Sequence, residues 1–495
     1  MLNNPSPIGS TKIDVLRQIV GKYFTIYNIS VTPVTVIFDI TTTKQEVYDK
    51  FDQLRKELVP MNYIPFIEHH LGEYRIVVTE KRANNPWGSW VNLIFLIATI
   101  ISTIYSGALI WGSYSGNPNI FMDILYGTLY FALPLMLILG VHEMGHYVTA
   151  KHYHVSASLP FFIPFIPPFG TMGAFISLRD PIPDRKSLMD IGIAGPLAGL
   201  CVALPVTILG LYFSAITPSH VTAVTPNTLL LGSSFFWNFI TAIYPISASA
   251  TINPMALAGW VGLFVTAINL IPAGQLDGGH IVRSLGGDAA KYISWSGIAV
   301  LLVIGFLYYP GWILFGLFVL LIGPTHPPPL NDITKLHWKR YILGGLAIFL
   351  LVSMFITVPL TQPTSSTLNY SVARYPLTNT IIVNGSQPIK IYLNVTNNYS
   401  LPYYVDLSLN ATVNNSYNAS FIKNVSLITF QNYTKNSTVK KNYWRSLQIE
   451  LNSSQTVEFT LIISLPPGEF YSNFYISIGP AGFSPVTIDY TIFHK

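Results

Sequence analysis

The stretch Leu137-Ile138-Leu139-Gly140-Val141-His142-Glu143-Met144-Gly145-His146 decides how this chain is read. It lies inside an apolar run from about residue 120 to residue 148, long enough to cross a bilayer. Ionisable side chains are costly at that depth and mark functional sites. The spacing is His-Glu-x-x-His. Residues four apart lie on one face of a helix, so His142 and His146 can grip one metal ion. Glu143, beside the first ligand, can lean toward the open coordination position and take a proton from water there. Packing histidines, or a polar cluster satisfied within a bundle, are the other readings of these three residues.

Outward from this stretch, the composition agrees with a membrane setting. Half of the 495 residues are hydrophobic and a tenth are charged, the balance of a multi-spanning α-helical protein with room for soluble domains at its ends. The net charge of +5 is spread along the chain, so no nucleic-acid partner is expected. Cys201 is the sole cysteine, which excludes an internal disulfide and a cysteine-held metal. Residues 1–22 lack the basic start and apolar core of a signal peptide, so the first exported segment is expected to be a retained helix.

Three domains are expected: 1–85, 86–361 and 362–495. In the first, Val34 to Ile40 is a β-branched, strand-like run. Thr43-Lys-Gln-Glu46 has capping-box spacing, and Val47, Phe51, Leu54 and Leu58 recur on one helical face before Pro60. Two further strands are expected at residues 63–69 and 74–78, which makes a small α/β domain. His69 and His70, adjacent on a strand, point to opposite faces and are not expected to share a metal.

About seven spans are expected in the middle domain, near residues 90–111, 120–148, 188–213, from 257, two short ones turning at Tyr309-Pro310-Gly311, and 341–360. Gly192, Gly195 and Gly199 give the third a small-residue face for close helix contact. The aromatic stretch near residues 235–244 is either an interfacial helix or an extra span. His152 and His154, just past the second span, read as an interfacial cluster. Lys81, Arg82, Lys151, Arg179, Arg185, Lys186, Arg283, Lys291, Lys335, Lys339 and Arg340 fall on one side of seven spans. That side is the cytoplasm by the positive-inside rule, which puts the N-terminal domain in the cytoplasm of a multi-pass cell-membrane protein.

Between the second and third spans, Pro160, Pro164, Pro167 and Pro168 forbid a helix in an almost wholly apolar stretch. Non-helical backbone at membrane depth needs shielding by protein or by a water-filled cavity. A re-entrant hairpin ending in Gly170-Thr171-Met172-Gly173-Ala174-Phe175-Ile176 is expected, and its extended edge could pair with an unwound substrate. Beyond residue 361, alternating runs such as Ile389 to Val395 and Val457 to Ile463 predict a sandwich-like all-β domain. Asn-x-Ser/Thr triplets are dense there, Asn394, Asn398 and Asn410 among them, in keeping with an extracytoplasmic tail.

Two histidines leave zinc short of a third protein ligand. The candidate is Asp277, a lone acid among Leu276, Gly278 and Gly279 at the end of an apolar helix. His280 competes as the commoner ligand type. Asp277 lies deeper and is harder to leave unpaired, whereas His280 can stay neutral or reach the surface.

With these residues in place the chain resembles the site-2 protease family of intramembrane zinc metalloproteases. The resemblance rests on His142-Glu143-Met144-Gly145-His146, on Gly170-Thr171-x-Gly173-Ala174, and on Asn269-x-x-Pro272-x-x-x-Leu276-Asp277-Gly278-Gly279, and covers about residues 86–290. It implies zinc held by His142, His146 and Asp277, with Glu143 as general base and acid. It implies substrate contact at Asn269 and at Gly170, Thr171 and Gly173. It also implies regulated cleavage of other membrane proteins within or near their transmembrane segments. A transporter using the same polar residues as an ion path, or a surface-binding tail on an inert anchor, are the competing expectations.

Overall fold

The computed structural model describes residues 10–70, 72–81, 89–116, 119–216, 228–243, 251–333 and 335–362, and in the tail chiefly strand residues between 370 and 494. The N-terminal part runs α1 (Ser10–Tyr23), β1 (Thr25–Val31), β2 (Thr35–Thr41), α2 (Lys44–Leu58), β3 (Tyr63–His70) and β4 (Glu73–Glu80). The capping box starts α2: Glu46 N–H donates to the Thr43 hydroxyl and Thr43 N–H donates to the Glu46 carboxylate. Sequence patterning does not pick out α1 and β1. A register irregularity between Ile26 and Asn28 breaks the period of two in β1.

The sheet is antiparallel, in the order β1-β2-β4-β3. One face packs Val36, Phe38, Ile40, Ile76 and Val78 against Leu16 and Val20 of α1 and Val47, Phe51, Leu54 and Leu58 of α2. On the opposite face, Ile37, Val77 and Phe66 stand in one row across β2, β4 and β3, each only half-buried.

The helical core begins with α3 (Ser89–Ser115). Next comes α4 (Ile120–Gly127), which runs through a π turn at Thr128–Ala132 into α5 (Leu133–His152). Pro134 comes two residues after the π turn ends. Proline has no N–H and its ring crowds the carbonyl one turn back, and the extra residue of a π turn relieves that conflict. The hairpin expected from the prolines is present as β5 (Phe161–Pro164) paired antiparallel with β6 (Thr171–Phe175). The chain continues through α6 (Arg185–Ile216), β7 (Leu230–Leu231), α7 (Phe235–Ile243), α8 (Pro254–Asn269), α9 (Asp277–Gly286), α10 (Ala290–Leu307), α11 (Gly311–Ile322), α12 (Trp338–Met354) and β8 (Leu360–Thr361).

Among the described residues, four helical stretches are long and apolar enough to cross a membrane: Trp90–Ser115, Ile120–His152, Arg185–Ile216 and Asp277–Leu307. The other three expected spans correspond to α8, α11 and α12, which are shorter. The aromatic stretch forms α7, whose nine residues reach only about 14 Å, too short to span.

The chain divides into two compact units. The first holds Met1–Ile216, Ser233–Pro245 and Ile252–Val358, and so unites the N-terminal domain with the helical core. Leu330 is buried in the N-terminal domain's own core, and its carbonyl accepts from Ile67 N–H at 3.0 Å. Asn331 bridges Ile67 on one side and Asp184 on the other. Arg55 reaches the Tyr153 carbonyl at 3.2 Å, and Lys81 pairs with Asp180.

The second unit holds Thr217–Gly232, Ile246–Thr251 and Pro359–Lys495. In it Tyr403–Val413 pairs with Phe470–Pro480 and Ser446–Leu451 in one sheet, and Ile389–Asn397 pairs with Thr456–Ile463 in the other. Ile391, Leu393 and Val395 are buried at every second position, as are Val405 and Leu407. The triplet asparagines Asn394, Asn398 and Asn410 fall among the described residues.

Candidate metal centre

His142, Glu143 and His146 are buried, and the two histidines lie on the side of α5 that meets α6. The contact is close because α6 carries no side chain there. Any Cβ on Gly195 would run into the His146 imidazole, and one on Gly199 would come within 3.0 Å of His142 Nδ1. The Gly192-Gly195-Gly199 face read from the sequence as a helix contact is thus the seat of both histidines. His146 Nδ1 lies 2.7 Å from the Ile191 carbonyl. A carbonyl only accepts, so Nδ1 carries the proton and Nε2 turns its lone pair inward. Nothing in the sequence pattern marks Ile191 for this part, since the acceptor is a backbone group.

Asp277 arrives from the other side. Pro272 interrupts the helical hydrogen bonding after Asn269, and Gly274 turns the chain at φ +56°. Asp277 then opens α9, where the helix dipole favours an acid. Gly278 and Gly279 are required by close approach: a Cβ on Gly278 would strike the Leu270 carbonyl, and one on Gly279 the Gly274 carbonyl. The Asp277 carboxylate lies 3.2 Å from His142 Nε2 through one oxygen and 3.2 Å from His146 Nε2 through the other. Ligands held 2.0–2.1 Å from a tetrahedral zinc are about 3.3 Å apart. The three side chains have the donor types for that ion, and their ligand atoms all lie within 4.8 Å of one another. Among the described residues they form the group of three able to hold a metal.

Glu143 is 4% exposed and lines the same cavity as Ile176, just past β6. Asn269 ends α8 with its side-chain amide 3.2 Å from His142 Nε2, at the rim of the ligand set. His280 lies outside the group. Its Nδ1 is 3.0 Å from the Leu276 carbonyl and its ring packs against His326 at a tilt of 54°, with centroids 4.2 Å apart. His152 packs on Tyr153 and His69 on Tyr74, also away from the centre.

Gly170, Thr171 and Gly173 build the hairpin. Gly170, at φ +77°, abuts the Ser102 and Thr103 backbone of α3, where a Cβ has no room. The Thr171 hydroxyl donates to the Ile163 carbonyl at 2.9 Å and accepts from Gly173 N–H at 3.0 Å. The cavity wall begins one residue further on. A cavity of about 860 Å³ holds His142, Glu143, His146 and Asp277 and is walled by consecutive residues 174–182, beginning at Ala174. Ile64, Phe66 and Thr79 of the N-terminal sheet also line it, a participation that sequence patterning did not foresee.

Comparison with known proteins agrees with this geometry. Residues 130–323 match the model of Peptidase family M50, a span that contains both halves of the centre. The chain is 31% identical over 311 residues to "Probable zinc metalloprotease EGY1, chloroplastic" of Arabidopsis thaliana, covering 58% of this chain and 56% of that one. The rice (Oryza sativa subsp. japonica) protein of the same name is 27% identical over 404 residues, covering 72% and 68%. Arabidopsis "Probable zinc metalloprotease EGY2, chloroplastic" is 32% identical over 248 residues, covering 48% and 43%. The chain thus spans 43% to 68% of the length of these relatives.

Proposed function

We propose, from the premise of a Peptidase family M50 core at residues 130–323, that this chain is an intramembrane zinc metalloprotease that cuts peptide bonds in or near transmembrane segments of other proteins. The observation that carries the reading is the convergence of His142, His146 and Asp277, their ligand atoms within 4.8 Å of one another, with a second acid, Glu143, buried beside them. Zinc bound there supplies a Lewis acid that polarises a carbonyl and acidifies water. Glu143 takes the proton of the attacking water and returns it to the departing amine. The Asn269 amide, at the rim, hydrogen-bonds the extended peptide or the oxyanion that develops on its carbonyl.

The substrate lies extended along residues 174–178, presented by the hairpin that Gly170, Thr171 and Gly173 shape. An unwound segment exposes backbone N–H and C=O groups, and a strand edge satisfies them. Seven membrane segments (α3, α4–α5, α6, α8, α9–α10, α11 and α12) leave the basic loops on one side. On the positive-inside rule the N-terminal domain is cytoplasmic and the β-rich tail, a sandwich-like domain, lies across the cell membrane. The domain limits are 1–85, 86–361 and 362–495.

The test is zinc-dependent cleavage of a panel of tagged single-span proteins by the purified chain, with Glu143→Gln alongside. Cleavage by the wild type alone is expected. A wild type inert on every member, or a Glu143→Gln variant that still cuts, sinks the reading.

A further inference from the structure

The face of the N-terminal sheet opposite α1 and α2 carries an apolar row that its own domain buries only in part. Ile37 pairs with Val77, and Val77 with Phe66, so the three side chains are cross-strand neighbours; Ile64 follows two residues along, beside Thr79. All are half-buried. The end of this row opens into the metal cavity, since Ile64, Phe66 and Thr79 line the space that also holds His142, His146 and Asp277.

Between metal centre and sheet, the wall is one uninterrupted stretch, residues 174–182. The two ends are fastened together. Lys81, directly after β4, pairs with buried Asp180, and Asn331 bridges β3 to Asp184. Of the charges near the row, Glu80 pairs with Lys12, Lys81 with Asp180 and Arg75 with Asp39, while Glu68 stands two residues beyond Phe66 and Arg179 lies in the cavity wall. At the cavity end the sheet offers an incoming chain the apolar side chains of Ile64 and Phe66.

We propose that the N-terminal domain is the distal half of the substrate-binding site, and that Ile64 and Phe66 select an apolar side chain in the substrate flank that leaves the membrane toward this domain. The occupant is argued from continuity: a chain extended along residues 174–178 and continuing along the same wall arrives at Phe66. The inference rests on the protease reading above.

The test uses the full chain reconstituted with zinc in liposomes. The substrates are single-span peptides with one constant transmembrane segment, whose flank positions are set in turn to Leu, Phe, Asp or Lys. At one flank position the wild type is expected to prefer Leu or Phe over Asp or Lys by about tenfold or more in kcat/KM. Phe66→Ala should flatten that preference, chiefly through KM, while keeping its zinc, and Phe66→Leu should restore it. A flank preference unchanged in both Phe66→Ala and Ile64→Ala overturns the proposal and leaves the protease standing. Absence of all cleavage by the wild type overturns the protease reading and this inference with it.

A second measurement does not depend on turnover. In a Glu143→Gln, Cys201→Ser background, Phe66→Cys should crosslink to a cysteine in the flank, and Tyr27→Cys, at an exposed position on β1 at the other edge of the sheet, should not. Equal crosslinking from both positions also overturns it.

Discussion

A methyl group on Gly195 has only the His146 imidazole to move into. Gly195→Ala is therefore expected to weaken zinc binding by about 10- to 100-fold, the usual cost of disturbing a group that orients a ligand. Chelator competition measures it, with Gly345→Ala, which meets nothing within 4 Å, as the unaffected control. At the ligands themselves the roles separate. Asp277→Ala should lose both zinc and cleavage, because the carboxylate faces both Nε2 atoms. His280→Ala should keep both, because that ring is engaged with Leu276 and His326. Zinc loss in the His280 variant with retention in the Asp277 variant would exchange the two assignments. Glu143→Gln should retain zinc and lose turnover; disappearance of zinc with the carboxylate would make Glu143 a ligand.

At the scale of elements, the junction of β4 with the loop after β6 depends on Asp180. Burial alone would push its carboxyl up, but hydrogen bonds from Lys81 and Ser156 outweigh that and hold it below the usual carboxylate range. A carboxyl whose pKa is depressed in the fold contributes stability above its unfolded value, near 3.9, and loses it as pH falls through the folded value. Amide exchange at Ser156 and around residues 177–182 is therefore expected to stay slow from neutrality down to about pH 4 and to quicken below it. Asp180→Asn should exchange fast already at pH 7. Exchange that is independent of both pH and the substitution would show that the pair does not hold the loop.

For the whole molecule, the boundary between the compact units falls at Val358/Pro359, a few residues before the domain limit expected from composition. A chain ending at Val358 keeps every proposed ligand and is expected to bind one zinc as the full chain does. Loss of zinc on truncation would mean that the tail supports the centre. In intact cells, a protease added outside should trim the tail and spare the N-terminal domain; the reverse pattern would invert the proposed topology.

Much of the centre is legible in the linear chain because its determinants are local. His142 and His146 are one helical turn apart, so a periodicity argument places them on one face before any fold is known. The prolines of residues 160–168 exclude a helix wherever they sit, and the hairpin follows. Alternation makes β-strands of the tail for the same reason. Which groups meet across long separations is a different matter. Asp277 is 135 residues from His142, and burial cost argues only that it needs a partner, not which one. The Gly195 face marks a close contact without naming the helix that fills it, and the Ile191 acceptor has no side-chain signature. Nor does the pattern of β3 reveal that Phe66 opens onto the metal cavity. That was decided by packing alone, when Leu330 entered the core of the N-terminal domain and Lys81 met Asp180.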